Sequence, residues 1–275
     1  MTKTWLITGC STGFGSILAE AVLARGDNLV ATARSTSSLD SLAGRYPGTV
    51  RTTALDVTRP GDAAAAVALA EGAFGRLDIL VNNAGHGFIG AIEEGAPDEY
   101  RPLFETNVCG LIETTRAALP ALRRTGGGRI VNLSSTAGIA GRAGSGYYCA
   151  TKFAVEGLSE ALAEEVAPFD IAVIVVEPGP FRTDFLGRSI DAAKIRLPAY
   201  DETAGKMRSY RESNDGQQDG NPKKAVAVIL KAVDADEPPL HLPLGEGAYL
   251  VARNKLAAFK TVIDAWEADA IATGF

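Results

Sequence analysis

The chain has 275 residues, 46% of them hydrophobic, and a formal net charge of −6. That length and apolar content suit one large α/β domain. The basic residues are scattered, which argues against a nucleic-acid or anionic-membrane partner. Cys10, Cys109 and Cys149 lie far apart with no CxxC, a pattern that fits a reducing compartment and argues against a disulfide framework or a zinc site; no metal is expected. "MTKTWLITG" enters a strand pattern at once, and the longest apolar run, Ile171 to Val176, is too short to span a bilayer. A cytoplasmic protein is expected.

In chain order, strand patterns fall at Trp5–Thr8, Asn28–Ala33, Val50–Leu55, Ile79–Asn82, Arg129–Leu133, Ile171–Val176 and Leu240–Leu242. Their continuous apolar character suits strands buried on both faces of a parallel sheet. Helical patterns lie between them. "ILAEAVLARG" ends on Gly26, a C′ residue, and "AAAAVALAEGAF" follows Pro60, a helix start. "AVEGLSEALAEEVAPF" stops near Pro168, and "NPKKAVAVILKAV" has Asn221 as N-cap and Pro222 at the first helical position. The βαβα alternation predicts an α/β fold, a doubly wound parallel sheet of about seven strands with helices on both faces. Residues 1–275 read as one domain. From Phe181 to Gly220 no strand pattern occurs, and "RESNDGQQDG" (Arg211 to Gly220) reads as a flexible exposed loop. A long irregular segment of this kind predicts a lid over 181–220.

Two stretches carry chemistry. "TGCSTGFG" (Thr8 to Gly15) joins the first strand to a helix. Its glycines allow close approach of the backbone, and the helix start offers free N–H groups to a pyrophosphate. "SGYYCATK" (Ser145 to Lys152) places Tyr148 and Lys152 four residues apart, on one face if helical, whereas Tyr147 shares its face with Thr151. A cation beside a phenol lowers its pKa, so Tyr148 is expected to exchange a proton near neutral pH.

The spacing TGxxxGxG, then "NNAG" (Asn82 to Gly85), Asn107 in "ETNVCG", "IVNLSS" ending at Ser134 and Ser135, "YCATK" and "PGPFRT" (Pro178 to Thr183) follow one another in a familiar order. The chain resembles the short-chain dehydrogenase/reductase family in its single-domain branch, most of all the 17β-hydroxysteroid-dehydrogenase-like oxidoreductases. The resemblance runs from Lys3 to Thr183, and more loosely over "EPPLHLPLG" (Glu237 to Gly245). It implies a Rossmann-type fold and hydride transfer between a nicotinamide and a carbonyl or secondary alcohol.

It also implies roles. Tyr148 becomes the general acid and base, and Lys152 its tuning cation and a holder of the nicotinamide ribose. Family spacing puts the catalytic serine thirteen residues before the tyrosine, which pairs Ser135 with Tyr148 and leaves Ser134 to Tyr147. Successive strand residues point oppositely, so only one serine faces the site. Asn107 would distort its helix and hold a water in the proton path. Cofactor contacts would come from Gly9, Ser11, Thr12, Gly13, Phe14, Gly15, Arg34, Asp56, Val57, Asn83, Ala84, Gly85, Tyr148, Lys152, Pro178, Gly179 and Thr183.

Ala33 stands where NAD-using relatives carry Asp, and Arg34 follows it. A guanidinium matches a phosphate, so NADP(H) is expected rather than NAD(H), with Arg34 on the 2′-phosphate and Ser35 or Thr36 assisting. Asp56 either touches the adenine amino group or caps the helix at Pro60. At the carboxyl ends of the strands stand His86, Phe88, Ile89, Ile139 to Arg142, and the apolar residues of the lid, including Phe181, Phe185, Leu186, Ile190, Ile195, Leu197, Tyr200, Met207 and Tyr210. They predict a pocket for a small to medium hydrophobic ketone or alcohol. The helical segments Pro97–Leu122 and Tyr148–Ala167 match the family's interface, which implies a homodimer or homotetramer. The competing readings are a non-catalytic NADP(H)-sensing module and an epimerase or dehydratase on the same fold.

Overall fold

In a computed structural model, residues 2–274 are described. The strands are β1 (Thr4–Ile7), β2 (Asn28–Ala33), β3 (Val50–Ala54), β4 (Ile79–Asn82), β5 (Gly87–Ile89), β6 (Gly128–Leu133), β7 (Ile171–Pro178), β8 (Ile190–Ala192) and β9 (His241–Leu244). The helices are α1 (Gly13–Ala24), α2 (Asp40–Arg45), α3 (Asp62–Phe74), α4 (Pro97–Phe104), α5 (Gly110–Thr125), α6 (Thr136–Ile139), α7 (Gly146–Val166), α8 (Phe185–Arg188), α9 (Gly205–Asn214), α10 (Pro222–Val233) and α11 (Glu246–Ile271). Seven strands form one parallel sheet in the order β3-β2-β1-β4-β6-β7-β9. Chain order reverses between β1 and β4, which opens a crevice at their carboxyl ends.

Alternation along each strand feeds two cores. Trp5 and Ile7 of β1 pack with Leu18 and Val22 of α1 and Ile229 of α10. Leu6, between them, points to the other face and meets Val67 and Ala70 of α3 and Leu122 of α5. All three β1 side chains are fully buried. Truncating Leu6 to alanine would cost about 2–5 kcal/mol, because the sheet cannot collapse into the gap. Trp5 keeps its indole donor satisfied through Asp27 Oδ2 at 2.9 Å.

The predicted strands form within a residue or two of their expected bounds, but three features differ from expectation. The segment from Phe181 to Gly220 contains β8, which pairs in parallel with β5 as a separate two-stranded sheet. "RESNDGQQDG" is not an exposed loop throughout: Arg211 to Asn214 complete α9, Gln218 is buried, and Gly220 bridges to Phe181. Strands of three residues each carry too little pattern to be read from sequence. The third difference lies at α3, which begins at Asp62 rather than at Pro60, with Gly61 in a left-handed turn as its N-cap. Asn221 caps α10 as expected, accepting from the Lys223 and Lys224 N–H groups at 3.0 and 3.3 Å. Among the described residues no helix is long and apolar enough to cross a membrane.

Candidate active site

The crevice at the β1–β4 switch is a cleft of ≈ 1900 Å³. Its floor is the turn from β1 into α1. Gly9 has a φ of +73°, a left-handed conformation that disfavours any side chain. A Cβ on Gly15 would lie 2.3 Å from the Gly9 carbonyl oxygen and 2.4 Å from Asn83 Nδ2. The turn is therefore close-packed behind its surface. Thr12 gives α1 no side-chain cap, so the first-turn N–H groups remain open to an anion. Thr8 ties this turn to β4: its hydroxyl donates to Val81 O at 3.3 Å and accepts the Asn83 and Ala84 N–H groups, both at 2.9 Å. Asn83 returns the contact, donating to Thr8 O and Gly9 O at 2.8 and 2.9 Å.

The cleft wall includes Gly9, Ser11, Thr12, Gly13, Phe14, Arg34, Asp56, Val57, Asn83, Ala84, Gly85, Tyr148, Lys152, Pro178, Gly179 and Thr183. Gly15 does not reach the wall, because its missing side chain is used for packing against Gly9 and Asn83. At the end of β2, Ala33 is buried and Arg34 is exposed into the cleft without a salt bridge among the described residues. Asp56 does not cap α3. Its Oδ1 accepts the Thr58 N–H and hydroxyl at 3.0 and 2.7 Å, and these bonds hold its carboxyl below the usual range. The contact with the helix start runs the other way, since Asp62 Oδ2 accepts the Asp56 N–H.

Asn107 is buried behind the wall. It sits in a widened π-helical turn, Glu105–Cys109, that joins α4 to α5. Its amide nitrogen donates to His86 O at 2.8 Å and to Thr151 Oγ1 at 3.1 Å, and its oxygen accepts the His86 N–H at 3.0 Å. The side chain thus clamps the loop after β4. A helix distorted at this residue was expected, and the π turn is that distortion.

Ser134 and Ser135 diverge as strand geometry requires. Ser135 lines the cleft beside Tyr148 and caps α6 through the Ala137 N–H at 3.1 Å. Ser134 is buried beside Glu156. Tyr147 leaves the site: its hydroxyl donates to Ile92 O at 2.7 Å and its ring stacks on Tyr100 with centroids 4.6 Å apart. Tyr148 faces the cleft, 5.6 Å from the Phe185 ring.

The electrostatics reverse one expectation. Burial pushes the Tyr148 phenol well above its usual pKa, and the polar Ser135 side chain offsets this only in part. Lys152 was expected to draw that pKa down. Its Nζ instead donates to Leu133 O at 2.6 Å and lies 5.8 Å from the Tyr148 ring centroid. Burial brings Lys152 itself down to about 8, opposed by the charge of Glu156. Behind it, Glu156, Glu177 and His241 bring a ligand atom each within 4.8 Å of one another. His241 Nδ1 lies 3.0 Å from Glu177 Oε1. Burial pushes Glu156 up to about 7 and raises Glu177 as well.

The segment 181–220 supplies Phe181, Phe185, Leu186, Ile190, Met207 and Tyr210 to the wall. Leu197, Ile195 and Tyr200 stay outside it; Ile195 is exposed and the Tyr200 hydroxyl donates to Glu93 at 2.6 Å. Phe88 and Ile89 are buried beneath the pocket rather than lining it, and Ile139 is also absent from the wall. The segment is anchored. Buried Glu94 accepts the Ala91 and Leu197 N–H groups at 2.7 and 2.9 Å and an Arg208 guanidinium N–H. Sequence reading missed Gly247, Leu250 and Val251 of α11, which close one end of the cleft. The run "GAYLVA" is the signal that could have placed a helix there.

A family model described as short chain dehydrogenase matches residues 3–194. Oxidoreductase BOA17 of Botryotinia fuckeliana is 38% identical over 90% of this chain and 90% of its own. A 3-ketodihydrosphingosine reductase of Bacteroides thetaiotaomicron is 37% identical over 87% of each. The human 17-beta-hydroxysteroid dehydrogenase type 1 is 33% identical over 86% of this chain and 75% of its own. Among solved structures, a short-chain dehydrogenase from Streptomyces avermitilis superposes with a TM-score of 0.93 at 42% identity, covering 100% of both chains. A 3-ketoacyl-(acyl-carrier-protein) reductase from Brucella melitensis complexed with NADH gives 0.73 at 26% identity, over 90% of this chain and 98% of its own. With the glycine turn, the Ser135–Tyr148–Lys152 arrangement and the seven-stranded sheet in place, the chain belongs to the short-chain dehydrogenase family of oxidoreductases, which act on the CH–OH/C=O pair.

Proposed function

We propose that this chain is an NADP(H)-dependent carbonyl reductase or secondary-alcohol dehydrogenase for medium-sized apolar substrates. The observation that carries this reading is that Ser135, Tyr148 and Lys152 line the same cleft, with Lys152 one helical turn beyond the tyrosine. The close-packed Gly9–Gly15 turn and the uncapped start of α1 suit a pyrophosphate, and NADH in the Brucella melitensis neighbour supports a nicotinamide. Unpaired Arg34, with Ala33 in place of an acid, favours the 2′-phosphate form.

Bound there, a nicotinamide supplies or accepts the hydride. In reduction Ser135 donates a hydrogen bond to the substrate oxygen, and Tyr148 gives it a proton. The raised pKa of Tyr148 keeps it protonated at neutral pH, which suits the acid role. The ammonium of Lys152 stabilises the phenolate that remains. We assign to Asn107 the placing of a water on the proton path. Oxidation runs the same transfers backwards. Phe185, Leu186 and Ile190 from the segment 181–220, together with Leu250 and Val251, form an apolar rim that excludes water around the carbonyl. We read that segment as the substrate lid.

The test is nicotinamide absorbance with a panel of aliphatic and aromatic ketones, using NADPH and NADH in parallel. Turnover preferring NADPH supports the reading. Equal or better turnover with NADH removes the cofactor assignment, and NADPH binding without turnover on any ketone favours a sensing module instead.

A further inference from the structure

The base of α11 is held by buried Ala248, but residues 253–274 are exposed along their whole length. That free part is not polar. Tyr249, Ala252, Leu256, Phe259, Ile263, Trp266 and Ala270 alternate at intervals of three and four, which draws one stripe along a helix. Leu256, Phe259 and Trp266 are 69%, 59% and 65% exposed. A contiguous apolar surface of this kind marks an interface. Charge is divided along the same helix. Within its exposed part Arg253, Lys255 and Lys260 precede Thr261, and Asp264, Glu267 and Asp269 follow it.

We propose that α11 is a docking surface for a second copy of this chain, paired antiparallel across a two-fold axis near Thr261. In that register Leu256 packs against Trp266 of the second copy, Phe259 against its Ile263, and Ala252 against its Ala270. The flanking positions then match. Arg253 lies beside Glu267 of the second copy, and Lys255 beside its Asp269. Val262, itself 57% exposed, meets its own mate on the axis. Lys260 also meets its mate, but its charge is satisfied within the helix by Asp264 at 2.8 Å. A parallel pair in register would instead set Lys255 beside Lys260, a like-charge contact at the flank. Helices that lie on membranes carry an excess of Lys and Arg on the polar face, whereas this one balances three basic residues against three acidic ones from Arg253 to Asp269. The chemistry therefore selects a second α11. The surface is separate from the helical faces at 97–122 and 148–167.

The full-length protein with Cys109→Ser, which removes the exposed native thiol, is the background for the test. Val262→Cys is expected to give a disulfide-linked dimer on mild oxidation. Leu256→Cys is expected to give none, since its two copies would sit about 15 Å apart along the helices, beyond disulfide reach. Leu256→Glu with Ile263→Glu should halve the mass found by sedimentation velocity, with far-UV circular dichroism and nucleotide binding unchanged. Lys255→Asp should weaken the assembly, and Asp269→Lys added to it should restore it. An unchanged mass in the Leu256→Glu/Ile263→Glu variant would overturn the proposal. So would cross-linking through Leu256→Cys, which marks a parallel pair. So would co-sedimentation of α11-dependent protein with phosphatidylcholine/phosphatidylserine vesicles at unchanged mass in solution.

Discussion

Lys152 Nζ donates to the Leu133 carbonyl at 2.6 Å, two residues before Ser135 on the same strand end. One bond thus fixes the helix that carries Tyr148 to the strand that carries its serine partner. It also anchors the lysine, so its charge acts on the site from a set place.

The two adjacent tyrosines are expected to separate by function. Tyr148→Phe is expected to lower kcat by about 10²–10⁴-fold while nucleotide affinity, followed by fluorescence titration, stays near normal. Tyr147→Phe removes the hydroxyl's bonds to Ile92 O and Gly95 O and should cost about 1 kcal/mol of stability with unchanged kinetics. If Tyr147→Phe were the inactive variant, the assignment of the acid would be wrong.

The proposed preference for NADP(H) rests on Arg34. Arg34→Ala should weaken NADPH binding by about 10- to 100-fold, the loss of a charge-assisted bond, and leave NADH untouched. Adding Ala33→Asp should improve NADH. Isothermal titration with both nucleotides decides it, and equal losses for the two would show that Arg34 does not read the phosphate.

The pH profile should follow Lys152. Its pKa of about 8 means that the ammonium is present below that pH and lost above it. Reductive kcat/KM, which reports the free protein, is expected to fall as pH rises through about 8. Lys152→Arg, which does not titrate there, should remove that limb if it stays active. A profile unchanged between the two proteins would show that another group titrates.

Glu156 makes stability depend on pH in a definite direction. Its folded pKa of about 7 lies above the ordinary 4.5. The contribution is fully present below about pH 4.5 and is lost as pH rises to about 7, because the unfolded chain releases its proton first. Glu156→Gln should flatten that part of the melting-temperature curve. Since Glu156 also supports the charge on Lys152, the same variant should move the activity limb to lower pH. A melting curve as steep as that of the unchanged protein would contradict the buried state of this carboxylate.

The long apolar strands were legible because burial on both faces leaves a continuous hydrophobic run, and the helix ends were legible at Gly26 and Asn221, where a special backbone or cap is needed. Most of the motif residues line one cleft because they lie at the carboxyl end of a strand or near the start of a helix, while Gly15 and Asn107 support its wall from behind. What escaped were contacts without local pattern. β5 and β8 are three residues each and depend on each other. The buried ion pair of Glu94 and Arg208 joins residues that look solvated in sequence. The sign of the Tyr148 shift also escaped, because a nearby cation is visible in spacing whereas burial depends on Phe185 and the rest of the wall. Helix α11 carries its stripe outward, where no core reports it.

The Thr8 hydroxyl that binds the loop after β4 has a consequence for biosynthesis. A chain emerging from the ribosome holds the first glycine turn early, but β4 must insert beside β1 before that turn is complete, and Tyr148 and the segment 181–220 come later still. The nucleotide therefore cannot template the first half of folding. It can act only as a late clamp, protecting a sheet whose distant strands have already found one another.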